Sequence, residues 1–260
     1  MIHLDFDEQV EGNSILHKID GRVKIIVVFI AVFCTVALSH WEMALTVFFS
    51  CIALAALSRA PLKTYLKRLI YPSYIIIFVA IIQPFAYGST IIATVPFLGL
   101  PIYLQGINFA ILIFTRCLAA VSILNLLILL TPITKLLDSL TWFRVPSSII
   151  DVMMLMFRYI SLISEESARM YKAQASRCGH SKSAGFFKKI SNYGNIAGSL
   201  IVRSFDRALI VGNAMASRGY NGEYRLFSYQ HKEMPRRDLI IGVAFILAMV
   251  SLVLVDILIL

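Results

Sequence analysis

Long apolar runs, broken by short polar interruptions, fill the first half of the chain and return at its end. The first run extends from about Val23 to Leu38. Ser39-His40-Trp41-Glu42 interrupts it, and a second run continues to Leu57. Each is close to the minimum length for crossing a bilayer, so the two read as a tight helical hairpin ended by Arg59-Ala60-Pro61. Lys63, Lys67 and Arg68 follow on neighbouring helical turns, which suits a membrane interface. A third span covers about Leu69 to Tyr87, with Pro72 and Pro84 expected to mark bends near its ends. From Gly88 to Gly106 the chain carries no charge. Pro96, Gly99 and Pro101 there predict a compact apolar loop, either a hairpin or a re-entrant turn. A fourth span runs from Ile107 to Leu130 and a fifth from Leu239 to the C-terminus.

Between the fourth and fifth spans lie two long helical patterns of another kind. The first starts after Pro146 and Ser147-Ser148 and runs to Arg177, with Gly179 as a stop signal. It is apolar nearly all round from Ile149 to Ile163. Beyond that it turns polar, with Glu165 and Arg169 spaced i,i+4. The second runs from about Ser199 to Arg218 and stops at Gly219. Ser204, Ala208, Gly212 and Ala216 recur along it every four residues. Such a stripe permits close approach of another helix, expected to be the first long helix crossing it. The expected architecture is an all-α polytopic membrane protein with about five transmembrane helices and a cytoplasmic coupling module of long helices. Its parts are an N-terminal segment (1–22), a four-span region (23–130), the coupling module (131–238) and the last span (239–260).

Composition agrees: of 260 residues, 58% are hydrophobic and only 15% charged, too little charged surface for a soluble domain of this size. Sixteen of the 24 Lys/Arg fall between Thr131 and Asp238. The segments 39–42 and 88–106 have none, whereas Lys18, Arg22 and Lys24 flank the first span. The positive-inside rule therefore places the N-terminus in the cytoplasm, and five crossings put the basic block inside and the C-terminus outside; the expected location is the cell inner membrane. The basic block suits an acidic protein partner or anionic lipid. No nucleic-acid-binding motif occurs, and nucleic acid is not an expected partner.

Candidate chemistry is sparse. The four cysteines form no C-x-x-C pair, so no zinc site or disulfide framework is indicated. No Walker sequence occurs, and no paired carboxylates or His/Asp cluster suggest catalysis or metal binding. Arg116 lies within the fourth span, where a charge is costly. It is expected to order the bundle by bonding to backbone carbonyls or a neighbouring helix. Asp256 is expected to reach the lipid headgroups. The two long helices end alike, as Ala175-Ser176-Arg177 and Ala216-Ser217-Arg218-Gly219. Each Arg presents its guanidinium fork past a helix end, suited to a carboxylate on a partner. One instance alone would be read as capping; the repetition points to two docking sites.

The chain resembles the transmembrane T component of energy-coupling-factor (ECF) uptake transporters, in its cobalt/nickel-type CbiQ-like branch. The resemblance covers nearly the whole chain. It rests on Asp20-Gly21-Arg22-Val23-Lys24, where Gly21 replaces the family's Pro, and on Arg144-Val145-Pro146. It continues through Met156-Phe157-Arg158-Tyr159, Glu165-Glu166, Arg203-Ser204-Phe205-Asp206-Arg207 and Ala214-Met215-Ala216-Ser217-Arg218-Gly219-Tyr220. The first arginine signature departs from the family's Ala-Arg-Gly, since Cys178 follows Arg177. The resemblance implies a non-catalytic scaffold. Two ABC-type ATPase subunits, carrying ATP and Mg, would dock at Ser176, Arg177, Ser217, Arg218 and Gly219. A membrane substrate-binding subunit, optionally joined by a small accessory membrane subunit, would contact the long helices. Met153, Met154 and Met156 offer an adaptable apolar surface for such a contact or for ordinary packing, as do Ala208 and Gly212. No cofactor is expected on this chain. The transported substrate would be a cobalt ion, or nickel. A T component for vitamin-type substrates and an unrelated secondary transporter are the alternatives.

Overall fold

A computed structural model describes residues 15–58, 61–86, 88, 91–94, 101–177, 185–220 and 235–259. In chain order the elements are α1 (Ile15–Lys18), α2 (Gly21–Ala37), α3 (Trp41–Leu57), α4 (Leu62–Ala86), β1 (Ile91–Thr94), β2 (Pro101–Tyr103) and α5 (Leu104–Leu130). They continue with α6 (Ile133–Leu140), α7 (Ser147–Ser176), α8 (Phe186–Ser217) and α9 (Arg236–Ile259). The described residues form two compact units: 15–139 with 235–259, and 140–220. By length and composition α4, α5, α7 and α9 can each cross a membrane, and α3 is a shorter apolar helix. The protein is an all-α, multi-pass membrane protein.

In the first unit α5 is the central helix and packs against α2, α3 and α4, while α9 lies against α2. The core mixes small side chains with large ones. Ala31, Ala44, Cys51 and Ala119 are buried with Leu38, Val47, Ile123 and Met249. A second cluster joins Ala55, Tyr65, Leu69 and Leu129. Small residues let apolar helices approach closely where lipid offers no hydrophobic driving force. One approach is especially tight. A Cβ at Gly242 of α9 would lie 2.5 Å from Cγ1 of Val23.

Polar contacts fix the helix directions. The N-cap Asp20 accepts from the Arg22 amide at 3.1 Å, supplying one of the acceptors that a helix N-terminus lacks. Its own amide donates to Asp238 Oδ2, at the start of α9, at 2.9 Å. Lys24 Nζ donates to the Leu130 carbonyl (3.1 Å) and to Thr131 Oγ1 (3.2 Å), closing the carbonyl end of α5. The start of α2 thus lies beside the end of α5, and those helices are antiparallel. At the far end of α9, Asp256 accepts from the amides of Ser39 and His40 and meets His40 Nδ1 at 2.9 Å. Since Asp238 meets the beginning of α2 and Asp256 the turn after it, α2 and α9 run parallel, pinned at both ends. Tyr65 bonds Ser122, and Asn125 Nδ2 donates to the Tyr65 carbonyl at 2.9 Å, so α4 and α5 are antiparallel.

Several expectations change. Asp256 does not reach headgroups: it is 1% exposed because the amides at the α2–α3 turn need an acceptor where water is scarce. Pro84 lies in the last turn of α4 as expected, but Pro72 lies well inside the helix, because the Lys63–Arg68 stretch is continuous with it. Of the two forms expected for the uncharged 88–106 segment, a hairpin is found: antiparallel strands pair Ile91 with Tyr103 and Thr94 with Pro101.

In the second unit, a turn at 141–144 ends at Arg144 with φ 61°. The Pro146 carbonyl then accepts from the amides of Ile149 (3.1 Å) and Ile150 (3.4 Å) to start α7. Helix α8 begins at Phe186 rather than near Ser199.

Candidate functional site

The second unit is an antiparallel pair of helices clasped at three levels. Near the end of α7, Gln174 Nε2 donates to the Asn192 carbonyl at 3.1 Å, and the rings of Tyr171 and Tyr193 stack at 6.3 Å. Midway, Glu166 accepts from Arg203 Nη1 (3.0 Å) and Arg207 Nη2 (3.1 Å). Its carboxylate, 15% exposed, bridges two guanidinium groups one turn apart on α8, one to each oxygen. At the start of α7, Tyr220 Oη donates to Asp151 Oδ2 at 3.1 Å. Asp151 itself is 3% exposed. Withdrawal from water, and then the bond to Asp151, hold the Tyr220 phenol above its ordinary pKa, so it serves as a proton donor.

Because the pair is antiparallel, Arg177 and Arg218 lie at its opposite ends, roughly 40 Å apart at 1.5 Å per residue. They are not neighbours at one tip. Both are exposed, and both occupy the C-cap position with similar backbone angles, φ −91° and ψ 21° for Arg177 and φ −93° and ψ 10° for Arg218. The preceding serines also behave alike. Ser176 Oγ donates to the Lys172 carbonyl and Ser217 Oγ to the Asn213 carbonyl, at 3.0 and 2.8 Å. Each serine hydroxyl returns to its own helix at the same i−4 spacing.

The two ends terminate differently. At α8, Gly219 takes φ +81°, a conformation that costs a residue with a Cβ far more than glycine. The Gly219 amide donates to the Ala216 carbonyl at 3.0 Å and the Tyr220 amide to the Met215 carbonyl at 3.1 Å. This is a Schellman termination, which stops the helix sharply at Arg218. At α7, Cys178 and Gly179, where the arginine signature departs from the family pattern, lie outside the described residues.

The remaining candidates are dispersed. Ala208 and Gly212 line a groove of about 380 Å³ with Leu155, Tyr159, Ile163 and Met215. A Cβ at Gly212 would meet nothing within 4 Å, so the small-residue stripe borders an open groove and does not bring α7 into close crossing contact. Met153 and Met156 are exposed and Met154 is half-buried. They continue an apolar surface with Ile149 and Val152, and α8 exposes Ile201, Val202, Phe205 and Leu209. Arg116 is half-buried in α5, and its Nε, although buried, has no hydrogen-bond partner. Among the described residues no group of three His, Cys, Asp or Glu could hold a metal ion.

Sequence reasoning missed Asp151, Tyr220 and the double acceptor role of Glu166. The Glu165–Arg169 pair it singled out is exposed and 3.8 Å apart, the kind of surface pair that contributes little.

A family model described as "Cobalt transport protein" (CbiQ) matches residues 12–229. The energy-coupling factor transporter transmembrane protein EcfT of Ruminiclostridium cellulolyticum is 32% identical over 224 residues, 83% of each chain. That of Leuconostoc gelidum is 29% identical over 236 residues, covering 85% of this chain and 87% of the relative. The cobalt transport protein CbiQ of Rhodobacter capsulatus is 30% identical over 105 residues, 40% of this chain and 42% of its own. The family match spans both the helical bundle and the clasped pair, and the chain belongs to the CbiQ cobalt transport protein family, with the transmembrane proteins of energy-coupling factor transporters among its relatives.

Proposed function

We propose that this chain is the membrane scaffold of an ATP-driven importer. It couples ATP hydrolysis on two partner ATPases to uptake of a cobalt ion carried by a separate membrane subunit. The observation that carries this reading is the placement of two exposed, similarly built arginine ends at opposite ends of one clasped helical pair. Two anchors roughly 40 Å apart suit two separate ATPase subunits, one at each end. A guanidinium past a helix end gives each anchor a bidentate hydrogen-bonding fork. The chain takes no catalytic part and holds no cofactor: ATP and Mg stay on the ATPases. The exposed apolar surfaces of α7 and α8, including Met153 and Met156, receive the substrate-binding subunit.

Helix direction supports five crossings, and we place the chain in the cell inner membrane with its N-terminus cytoplasmic on the distribution of Lys and Arg. Successive crossings alternate in direction, and α2 and α9 are parallel, so α9 is an odd-numbered crossing. Five crossings by α2, α3, α4, α5 and α9 satisfy this. A sixth by α7 alone would reverse α9, despite the length and hydropathy of α7. The positive-inside rule then places the basic 140–220 unit in the cytoplasm.

The test is reconstitution. Proteoliposomes holding this chain, the ATPases and the substrate subunit should accumulate Co²⁺ when ATP is supplied on the cytoplasmic face. Vesicles lacking this chain should not. ATP-independent accumulation by this chain alone would instead indicate a secondary transporter.

A further inference from the structure

We infer that Tyr220 and Asp151 are positioning residues for Arg218, holding the second docking end in register with the start of α7; this rests on the docking reading above. The Schellman termination fixes where α8 stops, but its bonds join only residues of α8 and the two that follow it. A bond from Tyr220 Oη to Asp151 Oδ2 ties that end to α7. Tyr220 stands two residues beyond Arg218. Gly219, at φ +81°, reverses the chain between them, so the phenol turns back to α7 while the guanidinium stays exposed. Asp151 lies in the first two turns of α7 and is buried, so its carboxylate is a fixed acceptor. The nearest polar clasp towards the other end is the Glu166 pair with Arg203 and Arg207. Arg218 lies 11 residues beyond Arg207, about three turns or 16 Å. Without the phenol, α8 would pivot about the Glu166 clasp, and its tip, carrying Arg218, would move most. An exposed arginine docks tightly only when its helix end is pre-organised.

The test uses the full complex, affinity-purified through this chain, and reads the ATPase retained and the thermal midpoint. Tyr220→Phe removes one hydroxyl and keeps the ring. Read well below the midpoint, where the chain stays folded although the buried Asp151 loses a donor, it should lower retention about five-fold, because an open end costs docking directly. Asp151→Asn keeps a side-chain oxygen acceptor and should retain the ATPase at near wild-type level, whereas Asp151→Leu should match Tyr220→Phe. Arg218→Ala should lose retention about ten-fold, and adding Tyr220→Phe to it should cost nothing more, since the phenol acts through that arginine. Wild-type retention by Tyr220→Phe alongside loss in Arg218→Ala would overturn the positioning role and leave the docking reading standing. Wild-type retention by Arg218→Ala would overturn both. Losses that multiply in the double variant would show Tyr220 acting independently of Arg218, and would also overturn the inference.

Discussion

At the scale of single residues, the polar side chains that matter most to the fold are those that serve a distant backbone. Asp256 accepts two amides and faces a histidine on a turn 216 or 217 residues away in sequence. Nothing local reveals this, because an aspartate near the end of an apolar run looks equally suited to headgroups. Lys24 is similar: by its position it reads as a positive-inside charge, yet it closes α5 at Leu130. The arginine ends were legible because the tripeptide Ala-Ser-Arg repeats. Tyr220 and Asp151 were not, since each is an unremarkable residue until the chain is folded. Asp256→Ala would strip the acceptor from the Ser39 and His40 amides. Each unpaired buried group costs about 1–3 kcal/mol. The thermal midpoint of the detergent-solubilised chain should therefore fall by roughly 5 °C or more, and Asp256→Asn, which keeps one acceptor oxygen, should recover part of the loss. An unchanged midpoint for Asp256→Ala would mean that the turn is held by other contacts.

At the scale of elements, hydropathy located the helices well, but local composition misplaced some of their ends. The sequence pattern suggested a start for α8 near Ser199, yet the helix takes in Asn192, Gly194, Asn195 and Gly198, residues of low helix preference. Packing overrides that preference: Ile196 is buried and the Asn192 carbonyl is taken by Gln174. Pro72 likewise reads as an end marker but sits within α4, where neighbouring helices tolerate a missing amide. Two element contacts can be tested. At the α2–α9 contact, Gly242→Ala drives a Cβ against Val23 and should destabilise the bundle by about 1–3 kcal/mol. Val23→Ala in the same chain should restore most of that, as measured by thermal unfolding, and absence of rescue would place the clash elsewhere. Between α7 and α8, Glu166→Ala leaves Arg203 and Arg207 without their shared acceptor. ATP-driven uptake in proteoliposomes should then fall more than ATPase retention does, because the ends remain but the pair no longer moves as one body. Equal losses of uptake and retention would show that Glu166 serves docking alone.

At the scale of the whole molecule, charge asymmetry and hydropathy were enough to read a multi-pass protein with one large basic block. Five successive spans already imply that α9 runs parallel to α2; the bonds that pin the two, between residues more than two hundred positions apart, were not legible. That direction carries the topology. Single cysteines placed on a cysteine-free background at Glu42 and at Lys189 should label with a membrane-impermeant maleimide from opposite faces of oriented vesicles. Labelling of both from one face would contradict five crossings. The claim on which the function rests is that Arg177 and Arg218 are two separate anchors for two ATPases. Losing either contact should weaken docking about ten-fold, and losing both should abolish stable assembly. Arg→Lys should also fail, because lysine cannot reproduce the bidentate fork. The most direct measurement is the amount of ATPase that co-purifies with the wild-type chain, each Arg→Ala variant and the double variant. Partial loss in each single variant and complete loss in the double, with the thermal midpoint of the chain unchanged, is the expected result. Wild-type ATPase retention by the double variant would contradict it, and would reduce both arginines to helix caps.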